Sequence, residues 1–177
     1  GALARTLVDG GYDVLAIDPA SGGGDVRPVS LHELAEPPGS FVAALAVTSL
    51  HHVEPLERSI GRLAELLEPG GVLVVDELDV AAFDERAAGW WLRQRRALGG
   101  AEHSSADELV AEHRAHLHPL PRIVAALEPY FEVGTPIYGP YLYRWNLDES
   151  FRAEEEHAIA DGAIPAVGAR LLAHRNR

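Results

Sequence analysis

The sequence predicts an α/β fold: one domain with a mostly parallel sheet and helices on both of its faces. Three observations carry this. "YDVLAIDP", "FVAALAV" and "VLVVDEL" are short runs rich in β-branched and other apolar residues, the pattern of strands covered on two sides. Between the second and third lies "LERSIGRLAELLEPGG", in which Leu56, Ile60, Leu63, Leu66 and Leu67 recur every three or four residues, one face of an amphipathic helix. Strand, helix and strand in that order form the βαβ unit of parallel sheets.

Taken from the start, "ALARTLVD" (residues 2 to 9) reads as the tail of a helix stopped by Gly10 and Gly11. The first strand follows and ends in Asp18-Pro19. A loop, "ASGGGDVRP", leads to "VSLHELAEPPGS", a short helical or irregular piece broken by Pro37, Pro38 and Gly39. The second strand is Phe41 to Val47, and Pro55 introduces the amphipathic helix, which Gly70-Gly71 ends before the third strand. Residues 80 to 99 read as helix and carry Trp90-Trp91. A further helical region covers about 106 to 128, interrupted near "HPLP". "YFEVGTPIYGPYLYRW" is aromatic and β-branched but bent by Gly134, Pro136, Gly139 and Pro140, a strand with an irregular exit. "DESFRAEEEHAIADG" is a polar helix with Asp148 as its cap, and "AVGARLLAHR" forms a final strand.

A chain of 177 residues is one domain's worth of material and can bury a substantial core. With 15 basic and 27 acidic residues its formal charge is −12, which disfavours general nucleic-acid binding. Cysteine is absent, so disulfides and thiolate metal sites are excluded. No apolar run approaches the roughly 20 residues that cross a bilayer, and no signal-peptide pattern is present. No membrane association is expected, and a cytoplasmic location is the default. The chain does not begin with Met, so residue 1 need not start the natural protein.

Ligands of an open parallel sheet sit beyond the carboxyl ends of its strands. Three strands here end in polar groups. Asp18 can accept two hydrogen bonds from a ribose diol, or form a turn before Pro19. Thr48 and Ser49 offer backbone and hydroxyl groups, and Leu50 can cover an adenine or thioether. His51 and His52 can bind substrate, transfer a proton near neutral pH, or cap the next helix. The adjacent carboxylates Asp76 and Glu77 are poorly placed for burial without partners, and so are expected to face the cleft or solvent. His113, His116 and His118 lack the geometry of a compact metal motif and read as a solvated helix face. Trp90 and Trp91 cannot face the same way on a helix, so one belongs to the core and the other can wall a pocket. Tyr138, Tyr141, Tyr143 and Trp145 either line that pocket or fill the core.

The order of the fragments "GALARTLVDGGYDVLAIDPA", "AVTSLHHVEP", "LAELLEPGGVLVVDEL" and "YLYRW" resembles the class I S-adenosylmethionine-dependent methyltransferases over nearly the whole chain. The resemblance implies a Rossmann-like sandwich whose last strand is antiparallel, with S-adenosyl-L-methionine as cofactor. It implies that Asp18, with Pro19 beside it, holds the cofactor ribose and that Thr48, Ser49 and Leu50 lie along its methionine and adenine portions. Glu33 or Leu34 then falls in the adenine loop. Gly1 corresponds to the last glycine of the family's Gly-rich loop, and the strand before that loop has no counterpart. The chain is therefore expected to be N-terminally truncated and to bind cofactor weakly or not at all, which micromolar binding by these 177 residues would disprove.

Methyl transfer to a small-molecule acceptor is the function this resemblance implies. His52, then His51 and Glu77, are candidates for a base, while Asp76, Trp91 and Tyr141 border the acceptor. Two alternatives stand beside it. One is a non-catalytic, methyltransferase-like binding domain. The other is a nicotinamide-dependent enzyme, although the chain has no Lys and so cannot carry a Tyr-Lys pair.

Overall fold

The computed structural model of the chain describes residues 1–100 and 105–177. Along the chain run α1 (Ala2–Asp9), β1 (Ala16–Ile17), β2 (Val26–Arg27), β3 (Phe41–Val47), α2 (Leu56–Leu66) and β4 (Leu67–Leu78). Then follow α3 (Glu85–Ala97), α4 (Ala106–His116), α5 (Leu120–Leu127), β5 (Phe131–Val133), β6 (Ile137–Gly139), α6 (Arg152–Ala160) and β7 (Gly168–Arg175). Short 3-10 turns sit at Leu31–Glu33, Leu50–His52, Leu142–Arg144 and Glu149–Phe151.

The main sheet has the order β3-β4-β7-β5, with β6 also paired to β7. β3 and β4 are parallel and bring Val47 level with Asp76. β7 runs antiparallel to β4, β5 and β6, the mixed sheet that the family resemblance implies. The first predicted strand is reduced to Ala16–Ile17. It pairs with β2 in a separate two-stranded parallel sheet, where Ala16 meets Val26.

Period-two alternation in β4 points Leu73 and Val75 into one apolar cluster with α2 and α5, including Ile60, Leu63, Ile123 and Leu127. A second cluster forms where α3, α4 and the 141–145 segment meet, around Phe83, Trp90, Trp91 and Leu142. α2 stops at Leu66, earlier than its apolar period suggests, because Leu67 already pairs with Phe41. Gly71 permits the tight entry to the paired strand: a Cβ there would lie 2.9 Å from the Glu68 carbonyl oxygen and 3.1 Å from that of Val42. Side-chain caps secure α3 and α4. Asp84 accepts from the Arg86 and Ala87 amides, and Ser105 and Glu108 form a reciprocal capping box.

β3 departs from the expectation of a strand covered on both faces. Val42 and Leu45 are exposed, and Ala46 alone of the strand is buried. Among the described residues β3 pairs with β4 alone, and α1 buries none of its own residues. Its apolar sequence is therefore not matched by a cover on its outer side.

Candidate active site

The parallel pair β3–β4 delivers its carboxyl ends to one place. Thr48 leaves β3 with φ 54, a left-handed conformation unfavourable for a β-branched residue. Its amide donates to the Asp76 carbonyl at 2.9 Å and fixes the exit. The same alternation that buries Leu73 and Val75 also buries Glu77, which has no exposed surface. A buried carboxylate requires partners, and this one has three. Glu77 Oε1 accepts from the Ser49 amide at 2.7 Å and the Leu50 amide at 2.6 Å, while Oε2 bonds His51 Nδ1. A carboxylate only accepts, so Nδ1 is assigned as the donor and Nε2 as the ring's free acceptor. The His51 carbonyl accepts from the His118 amide at 2.9 Å, which joins this turn to the start of α5.

A second buried glutamate organises the opposite wall. Glu155, also without exposed surface, accepts from the amides of Tyr141, Leu142 and Tyr143 at 2.7, 2.9 and 2.8 Å. This sets the positions of Tyr141, Arg144 and Trp145. Burial, working against the Thr48 side chain beside it, pushes the Tyr141 hydroxyl up to about 12. Burial opposes the Arg144 charge, but hydrogen bonds to Asp76 and to the Tyr143 hydroxyl outweigh it and raise the guanidinium above its ordinary value.

Between the two walls is a cavity of about 180 Å³. His51 and Thr48 come from the β3 exit, Leu78 from the end of β4, Tyr141, Arg144 and Trp145 from the Glu155-held segment. His113 of α4 closes the side, its ring edge-on to Trp145 at 4.6 Å. His52 is on the exposed rim, its ring centroid 4.3 Å from that of His51. Burial, then the neighbouring His51, lowers its pKa from the ordinary histidine value.

The structure separates several residues that the sequence treated alike. His51 is buried and His52 exposed. Asp76 points away from Glu77 and bonds both Arg144 (2.8 Å) and Arg170 (3.2 Å). Glu77 touches His51 and backbone, facing neither cleft nor solvent. Trp90 and Trp91 are both buried. Trp91 stacks behind Trp145 at 4.2 Å and donates to its carbonyl, so Trp145 is the aromatic wall. Leu50 lies in the core at 1% exposure and presents only backbone at the turn. His113 faces the cavity rather than solvent, whereas His116 is exposed and His118 is buried against Val53 and Glu54. No group of three metal-ligating side chains converges among the described residues.

Away from the cavity, Asp18 is exposed at the end of β1. One of its oxygens accepts from the Ala20 amide at 2.8 Å, and the other takes no hydrogen bond among the described residues. A carboxylate oxygen left open in this way can accept a hydrogen bond from a ribose hydroxyl. Pro19 and Glu33 are exposed and Leu34 is buried. The Leu34 carbonyl is held to α2 by two bonds from Arg62, at 3.0 and 2.8 Å. Ser49 is half-buried and Gly1 is the exposed residue before α1. Arg144, His113 and Glu155 escaped the sequence reading of the site, because their partners lie far away in the chain.

Comparison with known proteins follows the same lines. Residues 1–115 match the family described as "Methyltransferase domain". No curated protein matches the sequence. Among solved structures, the PH0226 protein of Pyrococcus horikoshii superposes with a TM-score of 0.59 at 12% identity, over 100% of this chain and 77% of that one. A 1,6-didemethyltoxoflavin-N1-methyltransferase of Burkholderia thailandensis, solved with 1,6-didemethyltoxoflavin and S-adenosylhomocysteine, gives 0.54 at 15% identity, over 98% of this chain and 65% of that one. An S-adenosylmethionine-dependent methyltransferase of Mesorhizobium loti gives 0.52 at 16% identity, over 88% and 73%. These likenesses establish the fold. The chain spans between 55% and 65% of the length of three of the solved structures it resembles.

Proposed function

The chain belongs to the methyltransferase-domain family, and from that premise we propose that it is part of an S-adenosylmethionine-dependent enzyme that methylates a small molecule. The observation that carries this reading is the pairing of His51 with the buried Glu77 at the ends of two adjacent parallel strands, opening onto a cavity. The Burkholderia protein, with its small-molecule ligand and S-adenosylhomocysteine, supports a cofactor and an acceptor of this kind.

Bound S-adenosylmethionine supplies a methyl group already activated on a sulfonium, so the protein's task is proximity and alignment. In our reading Asp18 takes the ribose, with Pro19 shaping its turn. Glu33 and Leu34 flank the adenine, Thr48, Ser49 and the Leu50 backbone border the methionine portion, and Gly1 lies near its carboxylate. On the acceptor side, Tyr141 and Asp76 with Arg144 orient the incoming molecule, and Trp91 acts by backing Trp145. Where the acceptor atom must lose a proton, His51 Nε2 accepts it. Glu77 holds the ring's orientation and offsets the imidazolium that forms. His52, on the rim, is the other candidate base.

His51→Ala is expected to lower turnover about 10²–10⁴-fold with cofactor affinity nearly unchanged. His52→Ala, assayed in parallel, decides between the two: a larger loss for His52 transfers the role to it. The function itself is tested by calorimetric titration with S-adenosylmethionine, S-adenosylhomocysteine, NAD and NADP. A preference for the first two is expected. A preference for the nicotinamide cofactors overturns the reading.

A further inference from the structure

The lining of the cavity contrasts with the rest of the chain. The protein carries a formal charge of −12, yet none of the nine residues around the cavity is acidic, and Arg144 supplies a fixed positive charge. Asp76 lies beside it but is shared: its Oδ2 accepts from Arg144 Nη1 at 2.8 Å and from Arg170 Nε at 3.2 Å. One carboxylate between two guanidiniums leaves the trio at +1. Arg144 Nε is occupied by the Tyr143 hydroxyl at 2.9 Å, and Nη2 makes no hydrogen bond among the described residues. The guanidinium is therefore held rigidly by two of its nitrogens while the third keeps its donors. The open Nη2 suits a single-sided, charge-assisted contact with a carboxylate.

The shape adds a second requirement. Trp145 is half-buried and fixed, with Trp91 stacked on it at an interplanar angle of 20° and His113 edge-on. An indole held this firmly offers a flat wall at little entropic cost. The volume of about 180 Å³ is below the roughly 300–1,000 Å³ of drug-sized sites and fits a single substituted ring.

We propose that the cavity selects a planar, single-ring acceptor bearing a carboxylate, which pairs with Arg144 while the ring lies against Trp145. This rests on the methyl-transfer reading for the word acceptor, but the charge and shape preference is independent of it.

Three probes with the same ring and different charge test this: benzoate, benzamide and benzylammonium. Binding is followed by tryptophan fluorescence and by the indole N–H resonance of Trp145, without cofactor. Benzoate is expected to bind at least tenfold more tightly than benzamide, with benzylammonium weakest. Arg144→Gln should erase the difference between benzoate and benzamide, and Arg144→Lys should retain part of it. Equal affinities in the wild-type protein, or tighter binding of benzylammonium, overturn the proposal without recourse to any variant. An unchanged preference in a folded Arg144→Gln protein overturns it as well. Titration with S-adenosylhomocysteine and NAD separates the two readings. Benzoate selectivity with NAD bound in preference to that thioether retains the anion pocket and removes methyl transfer. Affinity for it without benzoate selectivity does the reverse.

Discussion

The two sides of the site are built differently. On the side proposed for the acceptor, two buried glutamates from separate elements each grip a pocket-lining turn: Glu77 holds Ser49, Leu50 and His51, and Glu155 holds Tyr141, Leu142 and Tyr143. On the side proposed for the cofactor, Asp18 is exposed just after a two-residue strand, α1 buries nothing, and the 34–36 segment is tied down mainly by Arg62. Buried charge must be fully partnered to be tolerated, and a fully partnered group rigidifies what it touches. The wall proposed for the acceptor is thus held by its own buried partners, and the side proposed for the cofactor has fewer such ties.

The sharpest way to break this contrast is to remove a clamp. Glu77→Ala leaves two amides and an imidazole N–H unpaired in the interior, and a loss of about 4 kcal/mol in urea unfolding is expected. A loss under about 1 kcal/mol would show that the turn holds itself and that the contrast is mistaken. Glu155→Ala strips three amides of their acceptor and is expected to cost about 3 kcal/mol, with the Trp145 indole resonance broadened or displaced. If that resonance does not move, Glu155 is a stability residue and not a positioning one.

A subtler probe lies on the rim. Because the folded protein depresses the His52 pKa below 6.5, the unfolded chain binds more protons around that pH, so stability rises with pH there. The His52 share is fully present above about 6.5 and is lost as pH falls through the lower folded value. His52→Gln should flatten this slope, and the His52 ring proton should titrate with a midpoint below 6.5. The smallest effect is expected at Asp18. Asp18→Ala should change stability by less than about 0.5 kcal/mol while weakening any affinity for S-adenosylhomocysteine. A large stability loss there would mean that the two sides are not built differently after all.

How much of this was legible depended on the range of the interaction involved. The helix at 56–66 and the strand after it were readable because their apolar periods are local. So were the family order and the antiparallel last strand that it implies. Asp76 and Glu77 were not, although period two already sends them to opposite faces. What decides their roles is Arg144, 68 residues away, and the amides of Ser49 and Leu50, 28 and 27 residues back. The same holds for Glu155, which reads as one more acid on a polar helix until the 141–143 amides close around it. The exposure of β3 was equally invisible, since an apolar run states what a strand tolerates and says nothing of what its neighbours supply.

The placement of β7 bears on how the protein is made. β4 shares no backbone pairing with β5 or β6 except through residues 168–175. A ribosome that has just released Leu78 must add about 90 more residues before β7 arrives, roughly 5–20 s at ordinary elongation rates. For that interval the nascent chain carries an apolar strand with one edge open, a template for pairing with another chain.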